Sequence, residues 1–404
     1  MDIKKFDRRL FALALIVLGV FAFFGFLISG GGAGRKAALT FTHFLGDRLD
    51  RGTLVSLIRE FEAQNPGVRI RLDRRRAAGP EESARINLSA DIVIFDERQL
   101  GVFLRDDLLA PLDPYMESGA EPDQRVVPLV SFMDLLFYHV EMLKAAGFDR
   151  PPGTRAEFLA CAQAVAAEGG GKTFGAALAL SPAEPLSVRR DVFSWIWAAG
   201  SPLIRDGRAD FSSRPVTETL EFLRRLYAGG LLSPGVFEKT GAEKTGEFAE
   251  GKIAMMIGPA ADIPVLRKRM GDAAFGVTLI PGPGDQPGRT VINPSRWYAA
   301  ISGSCKKTGE AWTFLTFLME KSPLLAAQAE AVPGGGNSPG PYILEDPFYS
   351  RAWDIYEAAE PISDIRLFSG TADLEAVVRE ELAALFSGEK NAAEAAAAIE
   401  QRRE

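Results

Sequence analysis

Gly169-Gly170-Gly171-Lys172-Thr173 has the ending of a phosphate-cradling loop, in which backbone amides and a lysine hold the phosphates of a nucleotide. That chemistry needs another glycine five residues before Gly171. The position holds Ala166, so the run reads as a glycine-rich turn from a helix to a strand. Ser304-Cys305-Lys306-Lys307 fits Ser-x-x-Lys, and Lys239-Thr240-Gly241 and Lys244-Thr245-Gly246 fit Lys-Thr-Gly, parts of a serine acylation site. Their order is reversed, no Ser-Asp-Asn lies between them, and Ser304 opens no apolar helix. The only histidines are His43 and His139, and no Cys-x-x-Cys or Gly-x-Ser-x-Gly occurs, so zinc or triad chemistry has almost nothing to use. Catalysis is left with carboxylates alone, which every acidic protein has, and the chain calls for no cofactor.

Binding chemistry has more to work with. Thr42, His43 and Phe44 lie at the end of an expected strand, Leu39 to His43, and Asp96, Glu97 and Arg98 follow the apolar run Ile92 to Phe95. Both loops leave the carboxyl ends of expected strands, where open α/β sheets hold ligands. Tryptophan rings suit sugar faces, and charged or amide side chains suit hydroxyls, in a cleft that excludes water. Trp297, at the head of the alternation Tyr298 to Ile301, and Trp195 are the candidate stacking residues. Lobe core accounts for each tryptophan equally well. Trp312, within the apolar helix Trp312 to Met319, is read as core, and Trp197 competes with Trp195 for exposure.

The elements that must position these residues are legible locally. Leu54, Ile58 and Phe61 sit at helical spacing, and the helix ends at Asn65, because a residue before proline is pushed out of the α region. After Gly67, Val68, Ile70 and Leu72 alternate with arginines as a half-buried strand does. With the earlier strand this is β-α-β, followed by the apolar run Ile92 to Phe95, suited to a strand covered on both faces. Thr154 and Glu157 form a capping box opening the next helix but one.

The chain of 404 residues, 47% apolar and 25% charged, can bury a large core and makes two lobes. Its net charge of -7 excludes a general nucleic-acid footprint. The cluster Arg69, Arg71, Arg74, Arg75 and Arg76 reads as a solvated strand end and loop. Lys4, Lys5, Arg8 and Arg9 precede Leu10 to Ile28, which carries no charge and is about 28 Å long as a helix. The positive flank stays in the cytoplasm and leaves the rest outside, whether residues 1–34 act as a retained anchor or as a cleaved signal. The apolar length favours the anchor. No cysteine lies near it, which excludes a lipoprotein. Cys161 and Cys305 are the only cysteines, and their spacing does not decide whether they pair.

Six segments in order resemble the extracellular solute-binding proteins of sugar-type ABC importers, the maltose-binding-protein-like family. They are Phe61 to Ile70 with Ala90 to Asp96, Leu108 to Asp113, Phe137 to Gly147, Phe248 to Pro259, Trp297 to Ser302 with Ala311 to Leu315, and Phe386 to Ala395. The resemblance implies two α/β lobes joined by three crossings, closing by a hinge around a carbohydrate or related polar solute that is handed to permease subunits. The crossings are expected near Pro128 to Phe132, Gly258 to Asp262 and Ser302 to Lys307. Lobe I would then comprise residues 35–130 and 259–304, and lobe II residues 131–258 and 305–404. The implied molecule is an extracytoplasmic monomer and not an enzyme. Trp195, Trp297, His43, Phe44, Asp96 and Glu97 are the ligand contacts it suggests. The sequence departs from the pattern after Gly258-Pro259, where relatives that bind maltodextrins carry a stacking tryptophan and this chain has Ala260-Ala261. A tethered sensor that feeds no transporter, and a carboxylate-based hydrolase, are the alternatives.

Overall fold

The computed structural model describes residues 36–45, 48–73, 89–116, 124–184, 187–205, 208–288, 291–292, 296–334, 339–361 and 372–402. The expected membrane segment, residues 10–28, lies outside them. Among the described residues no helix is long and apolar enough to cross a membrane.

The opening unit follows from its residues. Strand β1 (Ala37–His43) leads to the helix Arg51–Gln64, started by Asp50, whose side chain accepts from Thr53 N at 2.7 Å and satisfies an orphan amide. Leu54, Leu57, Ile58 and Phe61 are its buried residues, and it stops at Asn65 before Pro66. Strands β2 (Val68–Leu72) and β3 (Ile92–Asp96) pair parallel with β1 on either side. Strands β4 (Val127–Ser131), β12 (Arg296–Ile301) and β13 (Val332–Pro333) complete a six-stranded sheet in the order β13-β4-β12-β3-β1-β2.

Side-chain alternation separates the two faces of this sheet. Ile92, Ile94, Trp297, Ala299 and Ile301 join Phe41, Phe61, Phe314 and Phe317 in one core. Val93, Phe95, Tyr298 and Ala300 point the other way, to Phe44 and Phe103.

The second sheet has the order β10-β5-β9-β6, from β5 (Asp134–His139), β6 (Phe174–Ala176), β9 (Ile253–Pro259) and β10 (Phe275–Thr278). Helices Arg155–Gly169, Arg214–Ala228, Ala372–Ser387 and Ala392–Gln401 contribute to the core on one face, and Ile263–Met270 and Pro347–Glu357 to that on the other. Thr154 and Glu157 form the expected capping box. That helix ends at Gly170 with φ of 53°, and Gly171 at 81° carries the chain towards β6, so the triple glycine is a turn. Two short pairings, β7 (Ile204–Arg205) with β8 (Arg208–Ala209) and β11 (Val291–Ile292) with β14 (Glu360–Pro361), complete the described strands.

Among the described residues three crossings join the sheets. The first falls at Phe132–Met133, between β4 and β5. The other two differ from expectation. Strand β10 pairs antiparallel with β5, so the chain remains in the second lobe past Asp262 and crosses between Thr278 and Arg296. Helices Thr308–Glu320 and Ser322–Gln328 pack in the first lobe's core, so the last crossing follows β13, not Ser302. The expected boundaries at 259, 304 and 305 therefore shift, because nothing local in a strand names its partner. Cys161 and Cys305 are buried, unpaired and in the cores of different lobes.

Candidate inter-lobe site

The carboxyl ends of β1 and β3 bring His43, Asp96 and Glu97 to one edge of the first sheet, as the sequence implies. His43 is half-buried, its Nδ1 has no hydrogen-bond partner, and burial lowers its pKa. Asp96 is 2% exposed and pairs with the guanidinium of Arg48, while its backbone N donates to Gln99 Oε1 at 3.1 Å. Glu97, the first residue of the helix Glu97–Arg105, accepts from Arg296 N at 3.2 Å through Oε2. Its Oε1 accepts from Arg189 Nη2 of the second lobe at 3.0 Å. The two charges are each 4% exposed and therefore stand in low dielectric, where such a pair needs its geometry to offset desolvation.

Arg189 belongs to a single π-helical turn, Arg189–Phe193, that runs directly into the helix Ser194–Ala198. Such turns put successive side chains at unusual angles and recur at functional sites. Here Arg189 reaches the first lobe while Arg190 Nε donates to Asp134 Oδ1 at 3.1 Å and Nη1 to Glu184 Oε1 at 3.4 Å. Burial opposes the Arg190 charge, but Asp134, Asp191 and Asp262 outweigh it and raise the pKa. Asp191 pairs with Lys244, both 2% exposed, and accepts from Ala179 N at 2.6 Å. Asp262, just beyond β9, accepts from Thr245 Oγ1 at 3.0 Å, and burial raises its pKa. Asp134 opens β5 opposite Pro259, so this cluster and the Ala260-Ala261 step lie beside the first crossing.

The aromatic candidates lie elsewhere. Trp195 is 2% exposed among Phe158 and Phe222, at centroid distances of 5.1 and 4.9 Å, in the second lobe's core. Trp297 is also 2% exposed, edge-on to Phe132 at 5.4 Å, in the first lobe's core. Phe44 packs on Phe103 at 5.8 Å. None of the three presents an open ring face. The sequence reading passed over Arg48, Asp134, Glu184, Arg189, Arg190 and Asp262. The signal for Arg189-Arg190-Asp191 was there: three consecutive charges bounded by Val188 and Val192 in an otherwise apolar stretch.

Residues 47–322 match the family model described as bacterial extracellular solute-binding protein. The chain belongs to that family. Membership makes it an extracytoplasmic binding protein rather than a catalyst. A Brucella abortus (strain 2308) protein named as a binding protein is 25% identical over 285 residues, 65% of this chain and 67% of its own length. Among solved structures, the sugar-binding protein MalE of Xanthomonas citri superposes with a TM-score of 0.74 at 19% identity, covering 91% of this chain and 96% of its own. The cyclic alpha-maltosyl-1,6-maltose binding protein of Arthrobacter globiformis gives 0.73 at 19%, covering 91% and 98%. The fold is thus the two-lobed one of these solute receptors.

Proposed function

We propose that the chain is the solute-receptor component of an ABC importer and takes a carbohydrate or similar polyhydroxylated solute between its lobes. One observation carries this reading: Glu97 and Arg189 meet across the lobes at the carboxyl end of β3, with Asp96, Arg48, Asp134, Glu184, Arg190 and Asp262 around the same junction. Carboxylates accept from hydroxyls and guanidiniums donate to them, so both lobes offer a polyol the groups it needs. The names of the structural relatives, a MalE and a maltosyl-maltose receptor, support the same class. Trp195, Trp297 and Phe44 serve as packing behind the polar wall. With Ala260-Ala261 after β9, a short solute held by hydrogen bonds fits better than a long glucan held by stacking.

The receptor acts as a monomer, tethered by residues 10–28 and handing its solute to permease subunits. A thermal-shift panel of monosaccharides, disaccharides and polyols tests the reading. The correct solute at about 100 times its Kd should add about 2.7 kcal/mol to stability. If no carbohydrate or polyol raises the melting temperature and an amino acid or peptide does, the solute class is wrong.

A further inference from the structure

Asp262 forgoes the bond that its position offers. It stands at the N-cap of the helix Ile263–Met270, where an aspartate ordinarily accepts from the second or third backbone amide. Asp346, in the same position of the helix Pro347–Glu357, does so, accepting from Phe348 N at 2.9 Å. The side chain of Asp262 makes no such bond. Its Oδ2 accepts instead from Thr245 Oγ1 at 3.0 Å, and its Oδ1 accepts nothing among the described residues. Gly258 keeps room for this placement, because a Cβ there would stand 2.9 Å from Asp262 Oδ2. The carboxylate is half-buried and lies by the first crossing, within reach of a solute held between the lobes.

Among the described residues Asp262 has no contact cation of its own. Asp134, Glu184, Asp191 and Asp262 stand together against Arg190 and Lys244. Arg190 donates to Asp134 and Glu184, and Lys244 is paired with Asp191. In the first lobe Asp96 and Glu97 are answered by Arg48 and Arg189. Adding the buried Arg296 to that side still leaves one negative charge in excess. Burial raises the pKa of Asp262 and Asp134 adds to the rise, although Arg190 and Lys244 act against it. A partly desolvated carboxylate without a contact cation is destabilising, and an incoming positive charge relieves it. A metal ion is not that charge, because no three His, Cys, Asp or Glu side chains among the described residues gather closely enough to hold one.

We infer that Asp262 sets the specificity of the inter-lobe site by receiving a protonated amine, so that the solute is an amino sugar. The inference rests on the carbohydrate reading above and narrows it. An ammonium group brings three donors and a full charge. Oδ1 accepts from one of them in a charge-assisted bond, where a sugar hydroxyl brings one donor and no charge.

The test is calorimetry on the intact protein at about pH 6, where the amine is protonated. Glucosamine, galactosamine and mannosamine are each compared with the parent hexose and with the neutral N-acetyl form. One amino sugar should bind about tenfold or more tightly than both of its neutral counterparts, the scale of a charge-assisted bond. Asp262→Asn keeps the shape and an acceptor for Thr245 but drops the charge, and should bring that ratio to within about twofold of one. The wild-type comparison reads the proposal by itself if the variant does not fold. Neutral sugars that bind as tightly as their amino forms would overturn the inference and leave the carbohydrate reading standing. A preference of about tenfold that survives in folded Asp262→Asn would overturn the assignment to Asp262. If no sugar of either kind binds, the inference and the carbohydrate reading fall together, whether or not a plain diamine such as putrescine binds instead.

Discussion

Arg189 Nη2 stands 3.0 Å from Glu97 Oε1, joining the π-helical turn of one lobe to the end of β3 in the other, with both side chains 4% exposed. A pair between lobes differs from a pair within one. When the lobes part, both charges regain water, so the cost of removing one partner falls on the closed state more than on the fold. Glu97→Gln should therefore lower solute affinity by about tenfold or more, the usual consequence of breaking a buried charge pair at an interface. Scattering at saturating solute should give a larger radius of gyration than wild type. Unchanged affinity and radius would remove this contact from closure.

The pair Asp191–Lys244 gives the opposite expectation. Both residues are 2% exposed and both lie in the second lobe, so opening does not rehydrate them. Lys244→Met leaves Asp191 buried and unpaired and should cost about 3–5 kcal/mol in chemical denaturation. A loss below about 1 kcal/mol, the scale of an exposed pair, would show that water reaches Asp191.

How far these two pairs were legible in the sequence differs from the elements around them. Helix Arg51–Gln64 and strand Val68–Leu72 follow from apolar spacing and a proline, both local signals. So does the capping box at Thr154 and Glu157. The pairing of β10 with β5, about 140 residues earlier, is not local, and the lobe boundaries failed there. Glu97 was legible as a strand-end residue, but its partner Arg189 lies 92 positions away. Trp297 looked like a cleft residue because it heads an alternating strand. Only the arrangement of the sheet, with β3 and β4 flanking β12, reveals that all six residues of that strand are buried.

The two histidines set a pH dependence. Burial lowers the pKa of both His43 and His139 below 6.5, with Glu141 pulling His139 the other way. Around pH 6 the unfolded chain then binds more protons than the folded one, so stability rises with pH there. Their contribution is present above the unfolded pKa and is lost as pH falls through the folded values. The melting temperature should fall between about pH 7.5 and about pH 5.5, and His43→Gln and His139→Gln should each flatten the slope. A melting temperature that rises on acidification through this window would contradict the assignment.

Residues 10–28 should behave as a retained anchor. The protein should sediment with membranes and resist carbonate extraction while its bulk is open to protease from outside. A mature N-terminus between Gly30 and Ala38 would mean that the segment is a cleaved signal instead.

Trp297 separates support from contact. It lies opposite Asp96 on β3 and Val130 on β4, and its ring meets Phe132, the first residue of the first crossing. The ring is buried on the face covered by the helices that carry Phe61 and Phe314, so its removal opens a cavity within the first lobe. Trp297→Ala should cost about 3–5 kcal/mol of folding stability, the usual loss for a fully buried aromatic. Affinity for the solute in the protein that remains folded should change comparatively little, because Asp96 and Glu97 keep their own partners in Arg48 and Arg189. Chemical denaturation and calorimetric titration on this one variant separate the roles. A variant that retains wild-type stability but binds its solute about five- to two-hundredfold more weakly, the range for about 1–3 kcal/mol of lost stacking, would put the ring against the ligand.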